Sequence, residues 1–244
     1  MMTTRAPLFL LVLAAVSQSF PAFLLPRGAS QTQTALWSSP LYLERMVERK
    51  KVEVESLLRR HQDADDPLVM RMSYMASECK YNVTKSIKRD GFGSENLHTM
   101  SVMVDMKRRS PTVTQRRNVV EYANAGKFAE LLTRAKTDAF LVNTDDMEYG
   151  GAFGDLKESA MGVRRATTLP MPPAVIQKEI IIHPVQIARA LENGAAGVLL
   201  IVAVVGGDLE VLLDSCTIMG TEAVVEVHTL FVFIVFIVFI VFIV

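Results

Sequence analysis

The chain has 244 residues, half of them hydrophobic, and its 26 basic and 26 acidic side chains give a formal net charge of zero. A neutral chain has no bulk attraction to nucleic acid or to an anionic membrane, so neither class of partner is expected. The two cysteines, Cys79 and Cys216, lie far apart without Cys-x-x-Cys spacing, which argues against a zinc site and a disulfide framework. The length fits one domain of roughly 200 residues.

The first 40 residues have the composition of a targeting leader. The apolar run over residues 8–16 is too short to span a bilayer, and residues 17–19, Ser-Gln-Ser, form a small-x-small cleavage pattern. Residues 20–40 lack acidic side chains and include a hydroxyl-rich stretch, as transit peptides do. This order is similar to the bipartite leaders of algae with secondary plastids and predicts plastid import. Simple secretion is the alternative, favoured by the glycosylation triplet at residues 82–84.

The folded part is predicted to begin with two helices. Apolar residues recur at helical spacing over residues 41–61, with Glu, Lys and Arg between them, which predicts an amphipathic helix. Asp66 and Pro67 offer an N-cap and a first-turn proline for a second helix that runs to about residue 81. Residues 88–96 contain two glycines and are predicted to form a flexible loop.

From residue 101 onward, strand-like and helix-like runs alternate. Five strands are predicted, at residues 101–106, 139–143, 174–177, 197–203 and 223–228. Four helices are predicted between them, at residues 126–136, 155–165, 184–193 and 209–219. This alternation is typical of a parallel α/β barrel. A doubly wound sheet alternates in the same way, but no Gly-x-Gly-x-x-Gly follows any of these strands.

Three of the predicted strands end in charged residues. The first carries Asp105 and Lys107, the third is followed by Lys178, and the fifth carries Glu226 and His228. Side chains two apart on a strand share a face, and alternate strands of a barrel contribute to one interior layer. Two ammonium groups and two carboxylates are therefore expected in one pocket, which suits an anionic substrate and proton transfer at a carbonyl. A lysine crowded by another cation has a lowered pKa that suits a general acid, and a carboxylate there can act as a base.

These charged ends resemble three motifs of the indole-3-glycerol phosphate synthase family. The family's first strand reads Glu-x-Lys-x-x-Ser-Pro-Ser, its third ends in Lys-Asp/Glu-Phe, and its fifth carries Val-Glu-Val-His. The matching stretches here are residues 105–112 (Asp-Met-Lys-Arg-Arg-Ser-Pro-Thr), 178–180 (Lys-Glu-Ile) and 225–228 (Val-Glu-Val-His). Residues 149–156 resemble the family's loop after the second strand. The resemblance covers residues 41–228 and implies a TIM (β/α)8-type barrel preceded by two extra helices.

The resemblance implies a carbon-carbon lyase, specifically a carboxy-lyase of tryptophan biosynthesis. The implied reaction closes the indole ring of 1-(2-carboxyphenylamino)-1-deoxyribulose 5-phosphate with loss of carbon dioxide and water, and it needs no metal or organic cofactor. By the same resemblance, Lys178 would be the general acid that protonates the substrate's carbonyl oxygen. Lys107 would hold the substrate carboxylate and assist proton movement, and Glu226 would be the base of the dehydration. Asp105 stands where the family has a glutamate.

The resemblance also implies residues that bind the sugar-phosphate substrate. These are Ser110, which would help to hold the phosphate, together with Pro111 and Glu179. The aspartate at position 105 withdraws the carboxylate by one methylene relative to glutamate. A displacement of about 1 Å can cost on the order of 100-fold in rate, so a paralogue with weakened activity is a competing interpretation.

The chain beyond the fifth predicted strand departs from the family. The family's asparagine on strand six, serine on strand seven and phosphate loop after strand eight have no counterpart, so the barrel is expected to be incomplete. Residues 231–244 repeat Phe-Ile-Val with a period of three that fits neither a strand nor a helix, and they are too few for a membrane helix. We interpret them as a translated nucleotide repeat with a tendency to aggregate. The alternative function is that of an inactive paralogue or fragment that binds anionic metabolites or partners. Such partners would associate through exposed sheet edges or be other tryptophan-pathway enzymes.

Several other features are interpreted as structural. The basic residues near the first strand end lack interleaved aromatics, which favours a solvated loop beside an active-site lysine over a nucleic-acid site. They are Lys107, Arg108, Arg109, Arg116 and Arg117. His183 precedes a proline at a helix start and is predicted to be a cap or surface residue. Gly206 and Gly207 are predicted to form a simple turn. For His228, a place in the pocket and a structural role are both left open.

Overall fold

The computed structural model describes residues 9–13, 40–74, 76, 82–87, 101–110, 119–167, 172–228 and 239–243. The strands are β1 (Phe9–Leu13), β2 (Met103–Met106), β3 (Ala139–Asn143), β4 (Ala174–Lys178), β5 (Gly197–Ile201), β6 (Glu222–His228) and β7 (Phe239–Ile243). They form one sheet in the order β1-β7-β6-β5-β4-β3-β2. From β2 to β6 each strand pairs in parallel with the next along the chain.

Helices precede the parallel strands and connect them. They are α1 (Pro40–Arg60), α2 (Pro67–Ser73), α3 (Asn82–Ile87), α4 (Ala125–Arg134), α5 (Asp146–Tyr149), α6 (Phe153–Ala166), α7 (Pro184–Glu192), α8 (Val202–Val205) and α9 (Leu209–Ile218). The prediction of an α/β barrel that reaches five parallel strands is confirmed, because sequential parallel strands with helical crossovers are the barrel's repeating unit.

Two predicted boundaries are wrong. The second predicted helix ends at Ser73, because Tyr74 has an extended backbone, and residues 82–87 form a separate helix, α3. The fourth predicted strand stops at Ile201, where the chain enters the short helix α8. The β-branched residues there favour a strand in sequence, but the chain adopts a helix in which Val205 is buried in the core. Asp66 caps α2 as predicted, since its Oδ1 accepts a hydrogen bond from the amide of Leu68 at 2.8 Å.

The parallel strands have two apolar faces. The outer face packs against the helices through side chains such as Phe140, Val142 and Leu200. The inner face has its own cluster, which includes Ala139, Ala174, Ile176, Leu199, Val224 and, packed against them, Leu141 and Met103. Because side chains alternate along a strand, the polar residues two positions beyond these inner side chains lie on the inner face as well.

Helix α3 closes the inner face at the amino ends of the strands. Its Val83 and Ile87 belong to the inner cluster. The Glu222 carboxylate, only 2% exposed at the start of β6, accepts hydrogen bonds from the amides of Val83 at 2.7 Å and Thr84 at 3.3 Å and from the Thr84 hydroxyl. A Cβ on Gly197 would lie 2.7 Å from Val83 Cγ2, so this contact requires glycine. Helix α3 therefore covers the inner face at the start of β5 and β6.

The sheet also includes two antiparallel strands, β1 and β7. β7 pairs with β6 and with β1, although the sequence analysis placed residues 9–13 in a leader and interpreted the Phe-Ile-Val repeat as fitting no strand. Phenylalanine, isoleucine and valine favour strands even without alternating polarity. The sheet edge at β6 is thus paired with β7, and the edge strands of the described sheet are β1 and β2. The division into leader, barrel and tail stays a prediction. Within the described ranges, no helix has the length and apolar character needed to cross a membrane.

Candidate active site

Two lysines and an aspartate meet at the carboxyl ends of β2 and β4. The Nζ atoms of Lys107 and Lys178 lie 3.0 Å and 3.1 Å from the same oxygen, Oδ2 of Asp105. Each of the three side chains is about a quarter exposed, at 28%, 23% and 27%. The structure thus brings Lys107 and Lys178 together as the spacing predicted, at a position that is partly exposed to solvent.

Asp105 lies between the two ammonium groups, so one of the two carboxylates expected in this pocket pairs with both lysines. Burial alone would raise the pKa of Asp105, but the fields of Lys178 and Lys107 outweigh it and hold that pKa below its usual value. Two ammonium groups and one carboxylate leave a formal charge of +1. A substrate carboxylate or phosphate could therefore bind here in exchange for part of the Asp105 contact.

The neighbouring strand contributes an amide. Asn143, the last residue of β3 and only 1% exposed, donates from Nδ2 to Asp105 Oδ1 at 2.5 Å and to the carbonyl oxygen of Met106 at 3.3 Å. In the parallel register it lies opposite Lys178. Asn143 was not singled out in the sequence, because one asparagine at a strand end carries no distinctive pattern.

Glu226 and Tyr149 extend the site toward β6. Glu226 follows the inner-face residue Val224 by two positions and is partly buried, so it lies on the face that carries Asp105 and Lys178. The pKa of Tyr149 rises to about 12, first because the phenol is buried and then because of the negative charges of Glu226 and Asp105. Both carboxylates thus act on one protonated phenol. The side chain of His228 lies outside the described part of the structure.

Arg108 fixes the backbone beside Lys107. Its guanidinium donates to both carboxylate oxygens of Asp155, at 2.5 Å and 3.0 Å, and to the carbonyl oxygen of Gly150 at 3.0 Å. It also lies 4.1 Å from the centre of the Tyr122 ring. The interpretation of Arg108 as part of a solvated loop is wrong, since these contacts are internal. Arg116 and Arg117 lie outside the described residues.

Glu179 belongs to a buried ion-pair cluster that joins α1 to β3 and β4. The cluster consists of Arg49, Lys50, Asp145, Glu148 and Glu179. Lys50 Nζ lies 3.2 Å from both Glu179 Oε1 and Asp145 Oδ2, and the Thr144 hydroxyl donates to Glu179 Oε2 at 2.8 Å. Burial raises the pKa of Glu179, while Lys50 opposes this shift. These contacts occupy the Glu179 carboxylate, so its substrate-binding role stays a prediction that we do not carry into the proposed site.

The other implied binding residues follow β2. Ser110 is 7% exposed and lies three residues after Lys107; its contact with phosphate stays a prediction. Pro111 lies outside the described residues. At the start of α7, His183 Nδ1 accepts a hydrogen bond from the amide of Val185 at 3.1 Å, so its predicted role as a helix cap is confirmed. Burial lowers the pKa of His183.

A cavity of about 620 Å³ lies at the opposite, amino end of β4 and β6. Two of its charged lining residues are already paired: Arg71 Nε donates to Glu192 at 2.6 Å, and Glu222 accepts hydrogen bonds from α3. The lysines lie at the other end of the strands. The chemistry of the charged residues therefore points to the carboxyl end, where barrel enzymes hold their active sites.

Besides Asn143, sequence reasoning missed the roles of three residues in and beside this site. Arg108 and Lys50 sit within runs of basic residues that look alike as letters, so only their contacts distinguish them from solvated neighbours. Asp155 lies in the loop that was recognised as a motif, but its partner Arg108 is 47 positions away. A prediction of such pairs requires knowledge of the loop's path.

Comparison with known proteins agrees with these features. The family model described as indole-3-glycerol phosphate synthase matches residues 43–231. The indole-3-glycerol phosphate synthase of Opitutus terrae is 33% identical over 131 residues, which cover 53% of this chain and 47% of that protein. That of Parafrankia sp. is 33% identical over 141 residues, covering 57% and 48%. That of Bacillus mycoides is 28% identical over 187 residues, covering 76% and 62%.

The chain spans about half the length of the first two of these curated relatives. The match to the family model extends from α1 through the last residue of β6, and so includes the extra helices and all five parallel strands. Because this match covers well over half of the sequence, the chain belongs to the indole-3-glycerol phosphate synthase family.

Proposed function

We propose that this protein catalyses closure of the indole ring of 1-(2-carboxyphenylamino)-1-deoxyribulose 5-phosphate, with loss of carbon dioxide and water, in tryptophan biosynthesis. The observation that carries the proposal is the meeting of Lys107 and Lys178 on Asp105, on the face that also holds Glu226. Membership of the family supports the same reaction.

In this proposal Lys178 is the general acid. Its ammonium group donates a proton to the carbonyl oxygen of the substrate as the new carbon-carbon bond forms. A positioned acid of this kind contributes roughly 10²- to 10⁴-fold to a rate. The 3.1 Å contact with Asp105 supports this role, because it holds the flexible lysine side chain at the carboxyl end of the strand before the substrate arrives.

Lys107 and Glu226 take the other two roles. Lys107 turns partly from Asp105 to bind the substrate carboxylate. That carboxylate then leaves as carbon dioxide. Glu226 accepts a proton during the dehydration. Ser110 is proposed to help bind the phosphate. The formal charge of +1 on the lysine-aspartate group supports binding of a substrate that carries both a carboxylate and a phosphate.

A test of this function compares two lysine variants. In the wild-type chain, formation of indole-3-glycerol phosphate is followed by the fluorescence of the indole product. Lys178→Met is expected to lower kcat by at least about 100-fold. Lys51→Met, which removes a 56% exposed lysine from α1, is the matched control and should leave kcat unchanged. Equal rates for the two variants would contradict the assignment.

A second candidate is binding of anionic metabolites without turnover. The observation that favours it is that Asp105 already occupies both ammonium groups, one methylene further back than a glutamate would be. Calorimetric titration with anthranilate and with inorganic phosphate, alongside the turnover assay, separates the two functions. If the chain binds these anions but forms no product, and Asp105→Glu does not restore turnover, the second candidate function is favoured.

We also propose plastid import for residues 1–40, on the basis of their apolar run, cleavage pattern and lack of acidic side chains. Fusing these residues to a fluorescent protein in an alga with a secondary plastid tests the proposal. Fluorescence in the plastid supports it, whereas fluorescence in the medium supports secretion.

A further inference from the structure

The position of Asp105 depends on a residue from a different strand. Asp105 has a short side chain, and its Oδ2 must reach the ammonium groups of Lys107, directly after β2, and of Lys178, at the end of β4, with β3 between these strands. The second oxygen, Oδ1, is held by Asn143 at the end of β3. The carboxylate is thus divided, with one oxygen bound to the lysines and the other to an amide.

The orientation of the Asn143 amide follows from its neighbours. Nδ2 lies against two acceptors, Asp105 Oδ1 and the carbonyl oxygen of Met106. The reversed orientation would place Oδ1 against the same two acceptors and is unfavourable. In the observed orientation Oδ1 is buried without a hydrogen-bond partner among the described residues. A buried acceptor without a partner is costly, so placing the amide donor beside Asp105 carries a cost in stability at this position.

Asn143 also belongs to two strand pairs. It lies opposite Lys178 in the β3/β4 register, and it bonds to the side chain of Asp105 and to the backbone of Met106 on β2. This single amide therefore fixes both the position of the Asp105 carboxylate along β2 and the rotation of its side chain. Without it, the Asp105 side chain could turn away from Lys178.

We propose that Asn143 is a positioning residue, whose amide holds the short Asp105 side chain at the point where Lys107 and Lys178 meet. This inference rests on the proposed function for its effect on turnover. It accounts for the unsatisfied Oδ1 as the cost of placing a donor beside Asp105. It also explains how the short aspartate side chain contacts both lysines at a position where a glutamate would reach further.

The decisive experiment measures kcat for Asn143→Leu with and without Asp105→Glu. Asn143→Leu should lower kcat about 10- to 100-fold, as expected for displacement of a catalytic group by about 1 Å. The longer side chain of Asp105→Glu reaches the lysines without the amide, so the double variant should recover to within about threefold of Asp105→Glu alone. A merely structural role for Asn143 would give no such rescue.

Gln177→Leu is the matched control. Gln177 is also 1% exposed, lies near the end of the adjacent strand β4, and donates to Thr144 Oγ1 at 3.0 Å rather than to Asp105. It should leave kcat within about twofold of wild type, and Asp105→Glu should not change its effect. Equal losses for Asn143→Leu and Gln177→Leu, or no rescue by Asp105→Glu, overturn the proposal. Asn143→Ala serves if Asn143→Leu does not fold.

A measurement without turnover separates this inference from the proposed function. The pKa of Asp105 is followed by ¹³C NMR of its carboxyl group. Loss of the Asn143 hydrogen bond to the ionised carboxylate should raise that pKa, while Gln177→Leu should not. If the wild-type chain gives no product but the pKa of Asp105 rises only in Asn143→Leu, the proposed function fails and the positioning role stands. An unchanged pKa of Asp105 overturns the positioning role.

Discussion

The two ends of β6 carry the same residue type on the same face. Glu222, at the amino end, is 2% exposed and accepts hydrogen bonds from two amides and a hydroxyl of α3. Glu226, four residues later on the same strand, is partly exposed, and its negative charge helps to raise the pKa of Tyr149. Two glutamates on one strand thus have different surroundings. The one at the amino end contributes to packing, whereas the one near the carboxyl end lies where barrel enzymes hold their active sites.

The largest expected effect is on turnover and comes from the carboxyl end. Glu226→Gln keeps the shape of the side chain but removes the proposed base, so kcat should fall about 10²- to 10⁴-fold. The midpoint of thermal unfolding should change little. Glu210→Gln, at an exposed position on α9, is the control. A normal kcat for Glu226→Gln would contradict the proposed role of Glu226 as the base.

The next effect tests whether the carboxyl end also contains a structural ionic group. Lys50→Met leaves the buried Glu179 carboxylate without its cation, while Asp145 keeps its ion pair with Arg49 at 2.5 Å. The free energy of unfolding should therefore fall by about 3–5 kcal/mol. Urea denaturation measures this change. Lys51→Met, on an exposed position of the same helix, should cost less than about 0.5 kcal/mol. Similar losses for both lysines would show that the buried cluster contributes no stability.

A smaller effect is expected at the amino end of β6. Glu222→Gln retains volume but replaces charge-assisted hydrogen bonds to α3, which should lower the free energy of unfolding by about 1–3 kcal/mol. Turnover per folded molecule should stay within about twofold of wild type. Urea denaturation and the fluorescence assay measure the two quantities. A large fall in kcat with unchanged stability would reverse the assignment of the two glutamates.

The smallest effect is a dependence of stability on pH. Because the pKa of Asp105 is lower in the folded chain than in the unfolded chain, the unfolded chain takes up the proton first as the pH falls. The stability that wild type gains over Asp105→Asn should be complete above the ordinary aspartate value of about 3.9 and shrink as the pH falls below it. Urea midpoints from pH 6 to pH 3 measure this difference. A difference that grows toward low pH would contradict the observed ion pairs.

The sequence predicted the five parallel strands because alternating helix-like and strand-like runs depend on local pattern. Asp105 and Lys107 were predicted on one face for the same reason, since the two-residue repeat of a strand is local. The contact of Lys178 with Asp105 depends on strand order and register, and the barrel hypothesis supplied both. The α8 helix was missed because four β-branched or small residues favour a strand locally while the surrounding core selects a helix.

The arginine after Lys107 has a consequence for how substrate can enter. The Arg108 side chain is hydrogen-bonded to Asp155, Gly150 and Tyr122. These contacts restrain the backbone next to Lys107, at the base of its side chain. The lysine side chain beyond that base remains long and partly solvated. In the proposed function, the flexible Lys107 side chain would move from Asp105 to the substrate carboxylate while the backbone at its base keeps its position.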